Sequence, residues 1–351
     1  MFKSKIAGIG KYVPKNVFTN NDLMKYMDTT DEWIQERTGI KERRYGDRKG
    51  ETTTTMGVGA AKIAIERAGI TTHDIDFIVF ATLSPDYYFP GCGVLLQRAL
   101  QMKDVGALDV RNQCSGFVYA LSVADQFIKS GMYKNILVVG AEKHSFGLDF
   151  STRGRNVSVI FGDGAGAVVL QAVDENSNSR ILSTHLHSNG TNAEVLAMFN
   201  PGTHANHWVK ENKLADFDEA EIGEMFFSHA MIDNAQVFPF MDGQSVFKVA
   251  VEKFPQVINE ALSANQLQTS DLKLLIPHQA NLRISQFVQK KLQLRDDQVF
   301  NNIQKYGNTT AASIPIALCE AWEEGKINEG DLVCLAAFGS GFTWASALLR
   351  W

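Results

Sequence analysis

Three residues of this chain sit at turns where they could carry covalent chemistry: Cys114 in Asp109-Val-Arg-Asn-Gln-Cys-Ser-Gly-Phe117, His278 in Ile276-Pro-His-Gln-Ala-Asn281, and Asn308 in Tyr306-Gly-Asn-Thr-Thr310. The apolar run 106–110 breaks at a polar turn and delivers Cys114 to the start of a helix reading from Ser115 to Ile128. A helix N-terminus offers unpaired N–H groups and a positive partial charge, and both favour thiolate over thiol. The chemistry expected is attack by an activated sulfur on an electrophilic carbon. A buried structural cysteine is the plain alternative, because free cysteines are among the residues most often buried. The choice depends on a base and on charge-stabilising partners elsewhere. His278, at the end of a buried strand, is a possible base, although a lone histidine there is more often structural. The Gly307–Asn308 turn places an amide donor where a second helix opens. Ala337-Phe-Gly-Ser340-Gly-Phe-Thr-Trp344 is a glycine turn whose backbone N–H groups could face an oxyanion.

The elements that must hold these residues alternate between strand and helix. Helix 52–68 leads into the continuous apolar strand 75–82, of the kind buried on both faces. Further on, strand 135–140 and the glycine-rich turn Phe161–Gly166 lead to strand 167–173; this turn lacks the residues of a phosphate-binding loop and reads as tight packing. The second half resembles the first. Helix 245–264 before strand 271–278 echoes 52–68 before 74–80, and 331–337 echoes 135–140. The Cys114 elbow has a counterpart near Asn308, after the run 299–303 and before helix 311–323. An α/β chain of two similar halves, residues 1–173 and 174–351, is expected, with parallel sheets, helix cover and loops from both halves meeting at one site. The stretch 193–242 breaks the pattern and reads as a cap over a substrate entrance.

A smaller constellation lies near the N-terminus. Thr30 or Asp31 can cap a helix that carries Trp33 and Arg37 on one face. Two roles stay open for it: a surface helix with a half-buried tryptophan, or a flat ring beside guanidinium groups that stacks an adenine and holds phosphates. The polar stretch 153–156 reads as a loop. Among 351 residues the formal net charge is −5, which gives no basic face for nucleic acid. The 4 cysteines form no Cys-x-x-Cys pair and suggest a reducing compartment. No apolar signal region opens the chain and no run approaches the ~20 apolar residues of a membrane span, so a cytoplasmic protein is expected. His204, His207 and His229 lack metal-ligand spacing, and no metal is expected.

Six motifs in order then carry a family resemblance: Asp-Glu-Trp-Ile-x-x-Arg-Thr-Gly-Ile (31–40), Cys-Ser-Gly-Phe (114–117), Phe-Gly-Asp-Gly-Ala-Gly (161–166), Pro-His-Gln-Ala-Asn-Leu-Arg-Ile (277–284), Gly-Asn-Thr (307–309) and Gly-Phe-Thr-Trp (341–344). The chain resembles the β-ketoacyl-acyl-carrier-protein synthase III family of decarboxylating condensing enzymes over nearly its whole length outside the insert. The resemblance implies a thiolase-like fold of duplicated βαβαβαββ halves in five layers, αβαβα. It implies that Cys114 is acylated by an acyl-CoA and that His278 and Asn308 complete the triad, donating hydrogen bonds to the malonyl thioester oxygen. The N–H groups of Cys114 and Ser340 would bind the oxyanion. Thr29, Trp33, Arg37 and Arg155 would surround the CoA nucleotide, with Gly243 and Asn281 along the pantetheine tunnel. Lys248, Arg283, Lys290 and Lys291 would dock the acidic acyl carrier protein. Phe89 would reach the acyl pocket of a partner subunit, implying a homodimer. The substrates would be CoA and carrier-protein thioesters, with no further cofactor.

The sequence departs from the family pattern in three places. Ser340 interrupts the glycine triplet but still supplies its N–H. Gln244 stands where asparagine is usual along the tunnel. The insert 193–242 is longer than in housekeeping members and leaves the primer open. A degradative thiolase would need a second cysteine in the C-terminal glycine turn, where Gly339-Ser340-Gly341 stands. A head-to-head or starter-unit condensing enzyme of a secondary pathway shares the triad and is the alternative. An inactive scaffolding relative would normally have lost the nucleophile.

Overall fold

The computed structural model describes residues 2–202 and 229–351. Within the insert, His204, His207 and Trp208 fall outside that range, and His229 is exposed. The first half runs β1 (Lys3–Tyr12), α1 (Asp31–Thr38), α2 (Thr53–Arg67), β2 (Phe77–Ala81), α3 (Cys92–Ala99), β3 (Gly106–Val110), α4 (Gly116–Lys129), β4 (Asn135–Glu142) and β5 (Gly164–Val173). The second runs β6 (Arg180–Ser188), α5 (Gly243–Ala264), β7 (Leu274–Pro277), α6 (Leu282–Lys291), α7 (Ser313–Glu323), β8 (Leu332–Gly339) and β9 (Thr343–Arg350).

The strand order is β1-β5-β4-β2-β3 in the first sheet and β6-β9-β8-β7 in the second. Taken from β1 and from β6, the two orders correspond strand for strand, with matching directions: two antiparallel pairs, then a parallel one. The sheets are therefore mixed, not parallel as the alternation of elements suggests. β8 and β9 are joined by residues 340–342 alone, and so short a connection permits only antiparallel pairing. The counterpart of β3, run 299–303, also departs from expectation. It survives as a single bridge between Leu275 and Val299. The buried Gln279 side chain takes over the ladder's groups, with Oε1 accepting from the N–H of Asn302 (3.0 Å) and Ile303 (3.2 Å).

Five layers follow from where the apolar residues lie. α2 packs on the outer face of the first sheet through Ala60, Ala61 and Ala64. The outer face of the second sheet is covered by α5, on which α6 packs. Between the sheets lie α4 and α7, whose Phe117, Leu121, Ile128, Ile314 and Leu318 are buried. A helix enclosed by two sheets must be apolar nearly all round, and these two are. Ile136, Leu137, Val138 and Val139 of β4 are all 0 % exposed, so this strand is covered on both faces. Each such side chain contributes roughly 1.5–3 kcal/mol through burial. β3 forms the outer edge of its sheet, with Leu108 exposed. Among the described residues no helix is long and apolar enough to cross a membrane.

Candidate active site

The two central helices enter the site in the same way. A 3-10 turn over Gln113–Ser115 precedes α4, and another over Thr310–Ala312 precedes α7. In each, the residue that begins the turn is non-glycine with positive φ: Gln113 at 44° and Thr310 at 46°. Left-handed backbone at a side-chain-bearing residue persists only where the surroundings enforce it, and such residues gather at functional sites. The first turn exposes the backbone of Cys114 to the second half; the other follows Asn308. The second elbow was legible as a glycine turn, whereas the paired backbone distortion has no sequence signal.

The backbone N–H groups of Ser340 and of Cys114 itself lie near the Cys114 sulfur and favour its charged form. These are the two groups expected at the oxyanion. The Ser340 group is brought there by β8, whose last residue, Gly339, lies against Cys114. A Cβ on Gly339 would stand 2.5 Å from Cβ and 3.0 Å from Sγ of Cys114. Gly339→Ala is therefore expected to slow acylation by about 100-fold, the scale of losing one oxyanion donor. Intact-mass kinetics on protein with unchanged far-UV circular dichroism would measure it. Ser340 does more than replace a glycine. Its hydroxyl donates to the carbonyl of Leu196, and Leu196–Ala197 pairs with Phe240–Met241, so the base of the insert is tied to the oxyanion turn.

The charge state of the nucleophile differs from the expectation. Burial pushes the Cys114 thiol up to about 12, with the Glu142 carboxylate adding to the rise and the two N–H groups opposing it. Desolvation outweighs the two N–H groups, so burial favours the thiol. Glu142, fully buried at the end of β4, was not singled out by sequence; an acidic residue closing an apolar strand was its one signal.

His278 follows β7, its N–H continuing the ladder to the carbonyl of Ala336 (2.8 Å). It is 3 % exposed, and burial pushes its pKa down to about 3, so the ring is neutral. Nδ1 lies 2.6 Å from Ser313 Oγ, while Nε2 has no partner. Ser313 Oγ also receives the N–H of Gln279 at 3.4 Å, which leaves the hydroxyl proton for Nδ1. That assignment makes Nε2 the protonated nitrogen, a donor facing whatever enters. Asn308 is held as strictly. Its N–H bonds to the carbonyl of Ile160 (2.9 Å), and its carbonyl accepts from Gly162 (3.0 Å). Oδ1 accepts the N–H of Thr310 at 2.8 Å, leaving Nδ2 as the free donor. Two neutral donors and two backbone N–H groups can stabilise negative charge on oxygen without supplying a permanent cation.

The N-terminal constellation also assembles. Thr30 caps α1 by accepting the N–H of Trp33 (3.1 Å). The guanidinium of Arg37 lies 4.4 Å and that of Arg155 4.9 Å from the Trp33 ring centroid. Arg155 belongs to a short helix, Arg155–Ser158, and not to a loop, and it donates to the carbonyl of Asp28 (2.6 Å). Thr29 is buried with its hydroxyl unpartnered. Asn281 caps α6 through Oδ1 and donates Nδ2 to the carbonyl of Arg37 (2.9 Å), linking this cluster to α6. Gly243 opens α5 beside the capping Asp242. Lys248 on α5 and Arg283, Lys290 and Lys291 on α6 are exposed, around Phe287, which stacks edge-on against Phe247. Phe89 stands 80 % exposed, whereas Cys114, His278 and Asn308 are buried. Among the described residues no group of three or more His, Cys, Asp or Glu side chains could hold a metal.

Two family models match the chain: 3-oxoacyl-[acyl-carrier-protein] synthase III over residues 108–190 and the C-terminal model of the same family over 262–351. A β-ketoacyl-[acyl-carrier-protein] synthase III of Xanthomonas campestris is 46% identical over 99% of this chain and 98% of its own. A 3-oxoacyl-[acyl-carrier-protein] synthase III of Aquifex aeolicus, known as a crystal structure, is 44% identical with a TM-score of 0.85, covering 99% of this chain and 100% of that one. The Thermus thermophilus structure gives 35% identity and a TM-score of 0.86, with 99% of both chains covered.

Proposed function

Because the chain belongs to the β-ketoacyl-[acyl-carrier-protein] synthase III family, we propose that it initiates fatty acid synthesis by condensing an acyl-CoA primer with malonyl-acyl-carrier protein through an acyl-Cys114 intermediate. It is an acyltransferase with the thiolase-like αβαβα fold. The observation that carries the residue assignment is the close approach of Gly339, the residue before Ser340, to the buried Cys114 at the start of α4.

The first half-reaction forms a carbon–sulfur bond between Cys114 and the acyl carbonyl carbon. The oxyanion takes hydrogen bonds from the Cys114 and Ser340 N–H groups, the CoA sulfur leaves, and the Cys114 proton goes to it. In the second, the bond to the malonyl carboxylate breaks, CO2 departs, and the electron pair becomes an enolate. His278 Nε2–H and Asn308 Nδ2–H donate to its oxygen. The enolate carbon attacks the acyl-cysteine carbonyl, and the Cys114 sulfur leaves. Each fixed donor at developing charge contributes ~3 kcal/mol. Neutral donors suit this role, since a ring that burial keeps neutral can hydrogen-bond the enolate oxygen without giving a proton to the malonyl carboxylate, which must be ionised to leave as CO2.

In this reading Trp33, Arg37, Arg155 and Thr29 hold the CoA nucleotide, and Gly243 and Asn281 line the pantetheine path. The adenine would displace one of the guanidinium groups now resting on Trp33. Lys248, Arg283, Lys290 and Lys291 form the face for an acidic carrier protein, whose recruitment by a net-acidic enzyme depends on local charge. The exposure of Phe89 and of the β3 edge supports a homodimer in which Phe89 serves the partner's acyl pocket. The halves divide near residues 173 and 174, between β5 and β6. The setting is cytoplasmic, and the reaction uses thioester substrates without a metal.

Incubating the protein with a panel of acyl-CoAs and then malonyl-carrier protein tests the proposal. Intact mass should show one acyl adduct, followed by its loss as CO2 and 3-oxoacyl-carrier protein appear. Absence of an adduct, or a product left on CoA, would overturn it.

A further inference from the structure

Arg43 is fully buried, and among the described residues its guanidinium bonds only neutral oxygens. It stands in the middle of the short strand Glu42–Arg44, which pairs with Val17–Thr19. Nη1 donates to Asn20 Oδ1 (2.7 Å) and to the carbonyl of Phe18 (3.3 Å), Nη2 donates to the carbonyl of Val159 (2.7 Å), and Nε has no partner. A buried cation with no carboxylate and one unpaired N–H costs stability, which singles it out for a role beyond holding the fold. On one side its anchor is firm. Asn20 is itself fully buried and donates Nδ2 to Asp31 Oδ1 (2.7 Å), in the first turn of α1, and to the carbonyl of Ile40 (2.8 Å). On the other side Val159 opens the stretch 159–162, and this stretch grips Asn308. Ile160 accepts the Asn308 N–H (2.9 Å), and Gly162 donates to the Asn308 carbonyl (3.0 Å). The arginine stem reaches the same place: a Cβ on Gly162 would stand 3.1 Å from the Arg43 Cβ, and one on Gly307 3.4 Å. Its neighbours brace the same two segments. The Arg44 carbonyl accepts from the N–H of Asp163 (2.8 Å), and the Lys41 N–H donates to the carbonyl of Gln304 (3.1 Å).

We propose that Arg43 is a positioning residue for Asn308: by pinning the Val159 carbonyl to Asn20, it fixes the 159–162 backbone that aims the Asn308 amide into the site. The inference rests on Asn308 donating to the enolate oxygen in the condensation step. The side chain of Asn308 is tied only within its own turn, through Oδ1 to Thr310, so the direction of Nδ2–H follows from where its backbone is held. A guanidinium suits this task. Its planar fork reaches oxygens on two separate segments at once, whereas a lysine ammonium is a single point on a flexible stem. None of these bonds involves Cys114 or the turn 339–341, so Arg43 bears on condensation and not on acyl loading.

The test is single-turnover loading from acyl-CoA and single-turnover condensation with malonyl-acyl-carrier protein, both read by intact mass, for Arg43→Lys, Asn308→Ala and the double variant. Arg43→Lys should lose about tenfold or more in condensation, as a misplacement of about 1 Å at a reacting group does, and keep loading within about twofold. Added to Asn308→Ala, the same change should cost condensation nothing further, because no amide is left to aim; residues that act as one unit are non-additive. Arg43→Met keeps the stem against Gly162 and Gly307 but removes the fork, and it decides in the same way if Arg43→Lys does not fold. Equal losses in the two half-reactions would make Arg43 a support of the fold alone, and an undiminished further loss on Asn308→Ala would give it a separate role. Either result, or unchanged condensation, overturns the inference. Asn308→Ala by itself reports on the reading beneath: condensation at the unmodified rate there sinks the role of Asn308. A loss confined to condensation in Asn308→Ala, with equal losses in both half-reactions for Arg43→Lys, sinks this inference alone.

Discussion

Replacing Cys114 by alanine is expected to abolish covalent loading by acyl-CoA and to lower condensation by about 10⁴-fold or more, as removal of a nucleophile does elsewhere. No other cysteine can take over. Cys92, Cys319 and Cys334 are buried, and burial pushes each thiol up: to about 11, about 11 and about 12. Cys114 shares that burial but is distinguished by its place at the start of α4, with Gly339 packed against its sulfur. The variant should fold, because the Cβ that packs against Gly339 is retained. It should also decarboxylate malonyl-carrier protein slowly without condensing it, since His278 and Asn308 are untouched. Intact mass and CO2 release separate the outcomes: a covalent acyl adduct on Cys114→Ala would show the nucleophile to be another residue.

The second large effect concerns Asn308. Asn308→Ala should keep near-normal acyl loading and lose about 10²–10³-fold in condensation, the scale of one preorganised donor. The split follows from geometry. Oδ1 is held by Thr310, so the free amide hydrogens serve only the enolate oxygen, while acylation uses the N–H groups of Cys114 and Ser340. Asn308→Asp is the sharper variant. It preserves shape and the bond to Thr310 but places an acceptor where a donor is needed, and should condense more slowly than alanine. Single-turnover loading and condensation rates measure both. Equal losses in the two half-reactions would remove Asn308 from its assigned step.

The sequence showed most of what the backbone does between turns. Long apolar runs such as 135–140 and helices with small residues on one side, such as Ala60, Ala61 and Ala64, are local signals. Repetition of the same order after residue 174 made the duplication visible. Sheet direction was not legible, because it depends on how far the chain must travel between strands. The short 340–342 connection and the diversion of 299–303 by Gln279 are non-local outcomes. At the site, Cys114, His278 and Asn308 announced themselves by residue type at turns. Glu142 and Ser313 did not, since each has its partners far away in sequence: Thr82 and Ser84 for one and His278 for the other. The burial that raises the Cys114 thiol was not legible for the same reason. A helix start is a local feature, whereas burial by the opposite half is not.

The unequal fates of the two fifth strands bear on how copies of this chain can assemble. In the first half β3 keeps a full edge, while its counterpart is reduced to the bridge at Val299. Where β3 of one molecule meets β3 of a second copy, the contact is like against like, about a two-fold axis. That contact uses up the edge on both partners, so growth stops at a closed pair. A fifth strand kept in both halves would give each copy a second edge of this kind, a further place for strand pairing between copies.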